Sequence, residues 1–103
     1  MLNINMEFRK GILFIRLNGS LNKENINNII EPNGFKYIVF NLDKLYSIDN
    51  YSINYFLKIN KLLNKKKGKL FICDKNSNKN IIFDEIPKIS NELEAFKLCE
   101  RMG

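Results

Sequence analysis

The sequence contains no histidine, and this absence limits the chemistry that the protein can perform. Histidine is the commonest general base in enzymes and a frequent metal ligand. The 103 residues also contain neither a G-x-x-x-x-G-K-[ST] nor a G-x-G-x-x-G pattern, so no phosphate-cradling loop is indicated. No nucleophile–base pair and no cluster of metal-ligating residues is visible. The sequence therefore predicts a protein that is not an enzyme and that has no metal or cofactor.

Cysteine is scarce, and long apolar runs are missing. Cys73 ends an apolar strand pattern and Cys99 lies on the apolar side of a helix pattern, so both are expected to be small core residues in a reducing compartment. Nothing in the sequence calls for a disulfide, although the sequence alone leaves one open. No run approaches the roughly 20 apolar residues of a membrane span, and the run 12–17 is too short for a signal peptide. We expect a cytoplasmic protein without membrane insertion.

The charge balance is basic, with a formal net charge of +6 and a pI of about 9.4. A basic surplus raises the question of binding to nucleic acid or anionic lipid. The lysines are spread along the chain, and the one dense cluster is Lys65-Lys66-Lys67. Because cations are favoured at helix C-termini, a solvated helix end is the preferred interpretation and nucleic-acid binding is the disfavoured one.

The length and the 45% hydrophobic content predict one domain over residues 1–103. Hydrophobic periodicity predicts an N-terminal antiparallel hairpin, a series of parallel crossovers and about four helices. The predicted strands are 4–10, 12–17, 37–40, 70–73 and an edge strand at 87–89; the predicted helices are 22–31, 51–67, 76–83 and 90–102. The fold class is α/β, with a mixed sheet of four to five strands covered by the helices.

The segment 37–73 is the centre of this arrangement. It contains a buried strand, a loop at 41–50, an amphipathic helix and a second buried strand. Gly68 is predicted to end the helix as its C′ residue. In such a crossover, functional groups collect where the carboxyl end of a strand meets the start of the next helix. The sequence therefore places the candidate site at Asp49-Asn50-Tyr51-Ser52.

The order and spacing of four segments resemble the STAS domain, the family of sulphate transporters and anti-sigma factor antagonists. The resemblance covers nearly the whole chain. The segments are LNGSLN at 17–22, similar to L-x-G-x-L-D; IVFNLD at 38–43, similar to V-x-x-D-L; IDNYSI at 48–53, similar to I-D-S-S-G-L; and KGKL at 67–70, where the family has a glycine before the fourth strand.

The departures from this pattern bear on regulation. In bacterial anti-sigma factor antagonists, the first serine after the aspartate is phosphorylated by a kinase that is also the anti-sigma factor. Asn50 occupies that position here and cannot be phosphorylated, and Ser52 stands where glycine is usual. The resemblance thus implies a docking surface without the usual serine switch. Ser47 and Ser52 are the nearest alternative serines; Ser52 is the predicted phosphorylation site, although a structural role is favoured for both.

The resemblance implies a module that binds a regulatory protein, with an anti-sigma factor kinase as the first candidate. The predicted partner-binding residues are Asp49, Asn50, Tyr51, Ser52, Asn54 and Tyr55, together with Gly19 and Ser20, which are expected at the same end of the sheet. Tyr51 and Tyr55 share a helix face, and the pattern leaves open whether they anchor a partner or are partly buried. For Asp49, a helix N-cap is favoured over a catalytic or metal-binding role with Asp43.

Two alternatives to this function remain at this point. The chain could be an accessory STAS subunit of a transport or signalling complex, which the loss of the serine at position 50 favours. It could also bind nucleic acid through 65–67, which predicts affinity that falls steeply with salt. The predicted oligomeric state is a monomer or a weak dimer.

Overall fold

An antiparallel hairpin forms one edge of the sheet, as predicted. In the computed structural model, which describes residues 2–29, 34–75 and 85–102, strand β1 spans Leu2–Arg9 and β2 spans Ile12–Leu21. The strands pair along their whole length. Lys10 and Gly11 join them with positive φ angles of 51° and 85°. Two successive residues with positive φ make the hairpin turn whose twist suits the flanking strands, and glycine adopts this conformation without strain.

The other three strands are parallel to β2. They are β3 at Tyr37–Ile48, β4 at Lys69–Cys73 and β5 at Lys88–Ile89. The sheet order is β1-β2-β3-β4-β5, so each strand lies beside its neighbour in sequence. The observed sheet is therefore mixed and five-stranded, with an N-terminal antiparallel hairpin and a short edge strand at 88–89, as the sequence predicted.

Two strands are longer than the sequence indicated, and the predicted turn at 17–22 and loop at 41–50 are wrong. β2 continues to Leu21 and β3 to Ile48, and the two extensions pair with each other. The register shifts on both sides of Gly19, which has a φ of 120°. A glycine at a bulge lets the ladder resume after an irregularity, so the polar sequence there does not end the pairing.

The described residues contain two α-helices, rather than the four or so that were predicted. Helix α1 spans Asn50–Lys65, and α2 spans Glu92–Met102. The predicted helix at 76–83 lies outside the described residues. Over the described part of 22–31 the chain forms a single 3-10 turn at Ile26–Asn28 instead of an α-helix.

Asparagine side chains explain that missing helix. Asn22 Oδ1 accepts hydrogen bonds from the backbone N–H groups of Glu24 (3.0 Å) and Asn25 (3.1 Å). Asn25 Oδ1 accepts one from the N–H of Asn22 at 2.9 Å. Such local side-chain bonds offer the backbone an alternative to helical hydrogen bonding. Two isoleucines of the predicted helix, Ile26 and Ile29, are still buried in the core.

The core lies on both faces of the sheet, because successive strand residues point to opposite sides. One face is covered by α1, and its buried side chains include Ile15, Phe40, Phe56, Ile59 and Leu70. The other face is covered by α2, and its buried side chains include Phe14, Val39, Phe71, Cys73 and Ala95. Each strand therefore contributes to two apolar layers, and the turns between strands and helices lie at the two ends of the sheet.

Both cysteines pack in the apolar layer beneath α2. Cys73 is buried and Cys99 is half-buried, and both are free. Burial raises the pKa of Cys73 to about 12, with the nearby charge of Asp43 adding to the effect, so the thiol stays protonated at neutral pH. Neither helix in the described residues is long and apolar enough to cross a membrane.

Candidate functional site

Asp49 lies between the end of β3 and the start of α1, and its side chain binds backbone groups of two segments there. It is the N-cap of α1, and its Oδ1 accepts the backbone N–H of Ser52 at 2.9 Å. Its Oδ2 accepts the backbone N–H of Lys23 at 2.9 Å. Burial raises the pKa of this carboxyl group, but the hydrogen bonds from Ser52 and Lys23 outweigh that effect, so the pKa lies below its ordinary value. The predicted capping role is confirmed.

The predicted companion segment lies at the same end of the sheet. Ser20 pairs with Ser47 and Leu21 pairs with Ile48 in the extended β2–β3 ladder. The N–H of Asp49 donates to Leu21 O at 3.2 Å. Gly19 is buried and Ser20 is half-buried, so these residues lie beside the start of α1 and present little side-chain surface.

The side chains that project from this end come from the first two turns of α1. Asn50 and Asn54 are exposed, and Tyr51 is 50% exposed. The Lys23 ammonium lies 5.6 Å from the centre of the Tyr51 ring, a cation–π distance. Tyr55, one turn later, is half-buried against the core and meets Phe56 edge-on. Of the two tyrosines that share a helix face, Tyr51 is thus the accessible one.

Ser52 is placed differently from what a phosphorylation site needs. It is 0% exposed, and its Oγ has no hydrogen-bond partner among the described residues. A kinase could reach this hydroxyl only if the first turn of α1 opened. Phosphorylation of Ser52 stays a prediction, and the folded structure disfavours it. Ser47, the other serine considered, is exposed in β3.

Asp43 also accepts a hydrogen bond from a backbone N–H group. Its Oδ1 accepts the N–H of Lys75 at 2.6 Å, and its own N–H donates to Asn41 Oδ1 at 2.9 Å. Asp43 and Asp49 therefore hold different segments of the chain. Within residues 2–29, 34–75 and 85–102, no group of three or more His, Cys, Asp or Glu side chains is arranged to bind a metal ion.

Sequence reasoning missed two residues near the candidate site. Tyr46 is 72% exposed and lies in β3, where the sequence suggested a loop. Lys23 contacts both Asp49 and Tyr51, although it lies 26 residues before Asp49. Only pairing of β2 with the far end of β3 brings these residues together, and no local pattern signals it.

A second polar cluster, which sequence reasoning also missed, connects α2 to the sheet through hydrogen bonds. Arg16 Nε and Nη2 donate to the two carboxylate oxygens of Glu92, at 2.9 and 2.8 Å, and Nη2 lies 3.0 Å from Glu7. Asn41 Nδ2 donates to Glu92 Oε2 at 2.7 Å. The hydrogen bond from Arg16 is the main cause that lowers the pKa of Glu92 below its ordinary value. An aspartate at position 41, which the family pattern would have, would face Glu92 with a like charge.

The comparison with known proteins agrees with this architecture. Residues 3–94 match the STAS domain family, and the chain therefore belongs to that family. It is similar to an anti-sigma F factor antagonist of Paenibacillus polymyxa, with 28% identity over 112 aligned positions that cover 96% of each protein. The anti-sigma factor antagonists that the chain resembles are non-enzymatic, as the sequence predicted, and the chain is an antagonist-like STAS protein.

Solved structures show the same fold. The anti-sigma factor antagonist SpoIIAA in its unphosphorylated form superposes with a TM-score of 0.78 at 18% identity, over 95% of this chain and 98% of that one. An antagonist from Mycobacterium paratuberculosis superposes with a TM-score of 0.82 at 9% identity, over 97% of this chain and 95% of that one. The STAS resemblance and the sheet topology are thereby confirmed.

Proposed function

We propose that this chain is a cytoplasmic interaction module that binds a regulatory protein through the α1 turn, defined here as residues 49–55, together with Gly19 and Ser20. An anti-sigma factor kinase is the first candidate for the partner. The observation that carries the proposal is the projection of Asn50, Tyr51 and Asn54 from a helix start whose cap, Asp49, is engaged internally. Exposed polar and aromatic side chains on a rigid base are typical of protein interfaces.

The residues of the proposed surface have different roles. Tyr51 is the aromatic anchor, because half of its surface is available, and the Lys23 ammonium lies at a cation–π distance from its ring. Asn50 and Asn54 supply hydrogen-bonding groups at the rim. Ser52 and Tyr55 support the turn from below, and Gly19 and Ser20 shape the adjoining strand end. We add Tyr46 as a peripheral contact, since it is exposed on the β3 extension at the same end.

We infer that the surface has no serine switch at its centre. A phosphate adds about −1.5 to −2 charges, and on an interface that charge must be desolvated when a partner docks. Asn50 stands at the exposed position and cannot accept a phosphate, while the nearby hydroxyl of Ser52 is buried. The protein then stays in one binding state, and its regulation depends on amounts of the partner or on another site.

The test is a pull-down of wild type beside an Asn50→Asp variant, with bound proteins identified by mass spectrometry. Asn91→Asp is the matched control, because Asn91 Oδ1 accepts the N–H of Glu94 at the start of α2, where an aspartate also caps. We expect a partner that wild type and Asn91→Asp retain and that Asn50→Asp loses. Equal retention by all three would place the interface elsewhere.

A second candidate is an accessory STAS subunit of a transport or signalling complex. The exposed Asn50 favours it, since such a subunit needs no phosphorylation. The same pull-down distinguishes the two functions: recovery of an ATP-binding kinase supports the antagonist-like function, whereas stable recovery of a partner without a kinase domain supports the accessory subunit.

A further inference from the structure

The amino-terminal ends of the parallel strands gather cations that are far apart in the sequence. Ile12, Tyr37 and Lys69, at the starts of β2, β3 and β4, are paired side by side. Each strand is preceded by basic residues. The set, called the basic end below, consists of Arg9, Lys10, Lys36, Lys65, Lys66, Lys67 and Lys69. All of these side chains are exposed except that of Lys69, which is half-buried.

Backbone contacts hold two parts of the basic end together. The N–H of Lys69 donates to Lys36 O at 2.9 Å. Gly68 lies so close to the backbone of Lys36 that an added Cβ would overlap the Lys36 carbonyl oxygen. Lys36 is therefore fixed beside 65–69, about thirty residues later in the chain. The cluster 65–67 that the sequence suggested as a solvated helix end is part of a larger basic surface.

Few acidic groups offset these charges. Among the described residues, Arg9 is the one member of the basic end in a salt bridge, with Glu7 at 3.6 Å. Glu7 also pairs with Arg16. Glu100 lines a groove of about 450 Å³ together with Lys10 and Lys36. Among the residues that the structure describes, two carboxylates lie beside seven cations, so the described part of the basic end is strongly positive.

The aromatic rings at this end make a flat anionic surface a better candidate partner than nucleic-acid bases. Lys36 Nζ lies 5.5 Å from the centre of the Tyr37 ring, and Lys10 Nζ lies 5.6 Å from that of Phe96. These rings are covered by the chain's own cations and are not free to stack on bases. Phe8, next to Arg9 and Lys10, is 59% exposed and could enter the apolar layer below lipid headgroups.

We propose that the basic end docks on the surface of an anionic phospholipid membrane. Helix α1 runs from Asp49 to this end, and its 16 residues span about 24 Å, so docking leaves the α1 turn pointing away from the membrane. The chain lies on the membrane and does not cross it. This inference is independent of the proposed partner, because it rests on the opposite end of the domain.

Co-sedimentation with lipid vesicles tests the proposal. Vesicles of phosphatidylcholine are compared with vesicles of equal parts phosphatidylcholine and phosphatidylglycerol, at about 0.1 M and about 1 M salt, where the Debye length falls from about 10 Å to about 3 Å. We expect binding to the anionic vesicles at low salt and its loss at high salt. A cation near an anionic surface contributes about fivefold to the binding constant, so Lys66→Gln with Lys67→Gln should weaken binding about 25-fold.

Three further samples test whether vesicle binding depends on the positive charge of the basic end. Lys66→Arg with Lys67→Arg should bind like wild type, because the charge is kept. Lys44→Gln with Lys75→Gln removes the same charge from exposed positions toward the other end and should have little effect. Equal binding to both kinds of vesicle, no binding to the anionic vesicles, or equal losses in the two Gln pairs would each overturn the proposal. Tighter binding to a DNA duplex than to the anionic vesicles at low salt would replace it with a nucleic-acid site.

Discussion

The carboxylate of Asp49 holds the backbone N–H of Lys23 at 2.9 Å while it caps α1. One side chain thereby connects the segment after β2 with the helix after β3. The aromatic ring of Tyr51 then lies within reach of the Lys23 ammonium, at 5.6 Å. The shape of the α1 turn depends on this link, since Lys23 is placed by Asp49 and Tyr51 is placed beside Lys23.

Replacing Asp49 should loosen both segments. We expect Asp49→Ala to lower the free energy of unfolding by about 1–2 kcal/mol, since it removes an N-cap and a second backbone hydrogen bond. Asp49→Asn keeps one acceptor oxygen and should lose less. Urea unfolding followed by circular dichroism measures the difference. A change below the experimental error for Asp49→Ala would show that the cap contributes nothing to stability.

Removing the hydroxyl of Ser52 should stabilise the protein. Its Oγ is buried and lacks a hydrogen-bond partner among the described residues, and such a group costs about 1–3 kcal/mol. We expect Ser52→Ala to raise the free energy of unfolding by about 1 kcal/mol. Ser47→Ala, at an exposed position, is the control and should change it by less than about 0.5 kcal/mol. A loss of stability in Ser52→Ala would mean that the hydroxyl has a partner in solution.

Glu92 should make stability depend on pH in the acidic range. Its pKa in the folded protein lies below the ordinary value of 4.5, chiefly because of the hydrogen bond from Arg16. Its contribution is therefore fully present above about pH 4.5 and is lost as the pH falls through the lowered folded-state pKa. We expect Glu92→Gln to flatten the curve of unfolding free energy against pH below that point.

The size of this effect is limited by solvent. The side chains of Arg16 and Glu92 are 33% and 23% exposed, so the ion pair is partly screened and should contribute about 1 kcal/mol or less at neutral pH. Glu24→Gln, at an exposed site outside this cluster, is the matched control. If both variants show the same pH curve as wild type, the Arg16–Glu92 pair does not contribute to acid stability.

We expect Gly68 to tolerate no side chain because of a steric clash, and not because of a positive φ angle. The sequence indicated Gly68 as the C′ residue of α1, but Lys67 takes that left-handed position, with a φ of 61°. Gly68 instead lies against the backbone of Lys36. We expect Gly68→Ala to lower the free energy of unfolding by about 1–3 kcal/mol or more, because backbone atoms must move to admit the methyl group.

Gly34→Ala is the comparison for that variant. Gly34 has a φ of 90° and open space around its Cα, so alanine there meets backbone strain without a steric clash. Its cost should be about 1–2 kcal/mol. Chemical denaturation of both variants separates the two causes. A loss for Gly68→Ala no larger than that of a surface substitution would indicate that β3 and β4 can shift apart there.

Local patterns were sufficient where neighbouring residues decide the structure. The turn at Lys10 and Gly11 follows from the φ angles that glycine permits, and α1 follows from the 3.6-residue spacing of Phe56, Ile59 and Leu63. The cap at Asp49 follows from the residue type before the helix. Each of these predictions depends on a few residues that are close in the chain, and each is confirmed.

Predictions failed where distant segments compete with local preference. Asn41 to Ile48 looks like a loop by composition, yet it forms strand because β2 supplies hydrogen bonds along its length. Residues 22–29 have helical spacing of isoleucines, yet Asn22 and Asn25 bind the backbone and leave a short 3-10 turn. Periodicity alone does not reveal which of these hydrogen bonds is made.

The sequence by itself determined the order of most elements, because apolar spacing and turn residues act over short distances. Its four motifs resembled those of the STAS domain, and the family match over residues 3–94 confirmed that resemblance. Tertiary structure alone decided which polar residues meet. Lys23 contacts Asp49, Arg16 contacts Glu92, and Lys36 contacts the segment around Gly68, each across a sequence separation that only the arrangement of the strands and helices closes. The physical reason is that pairing of parallel strands brings their equivalent ends to one edge of the sheet, whatever their distance in the chain.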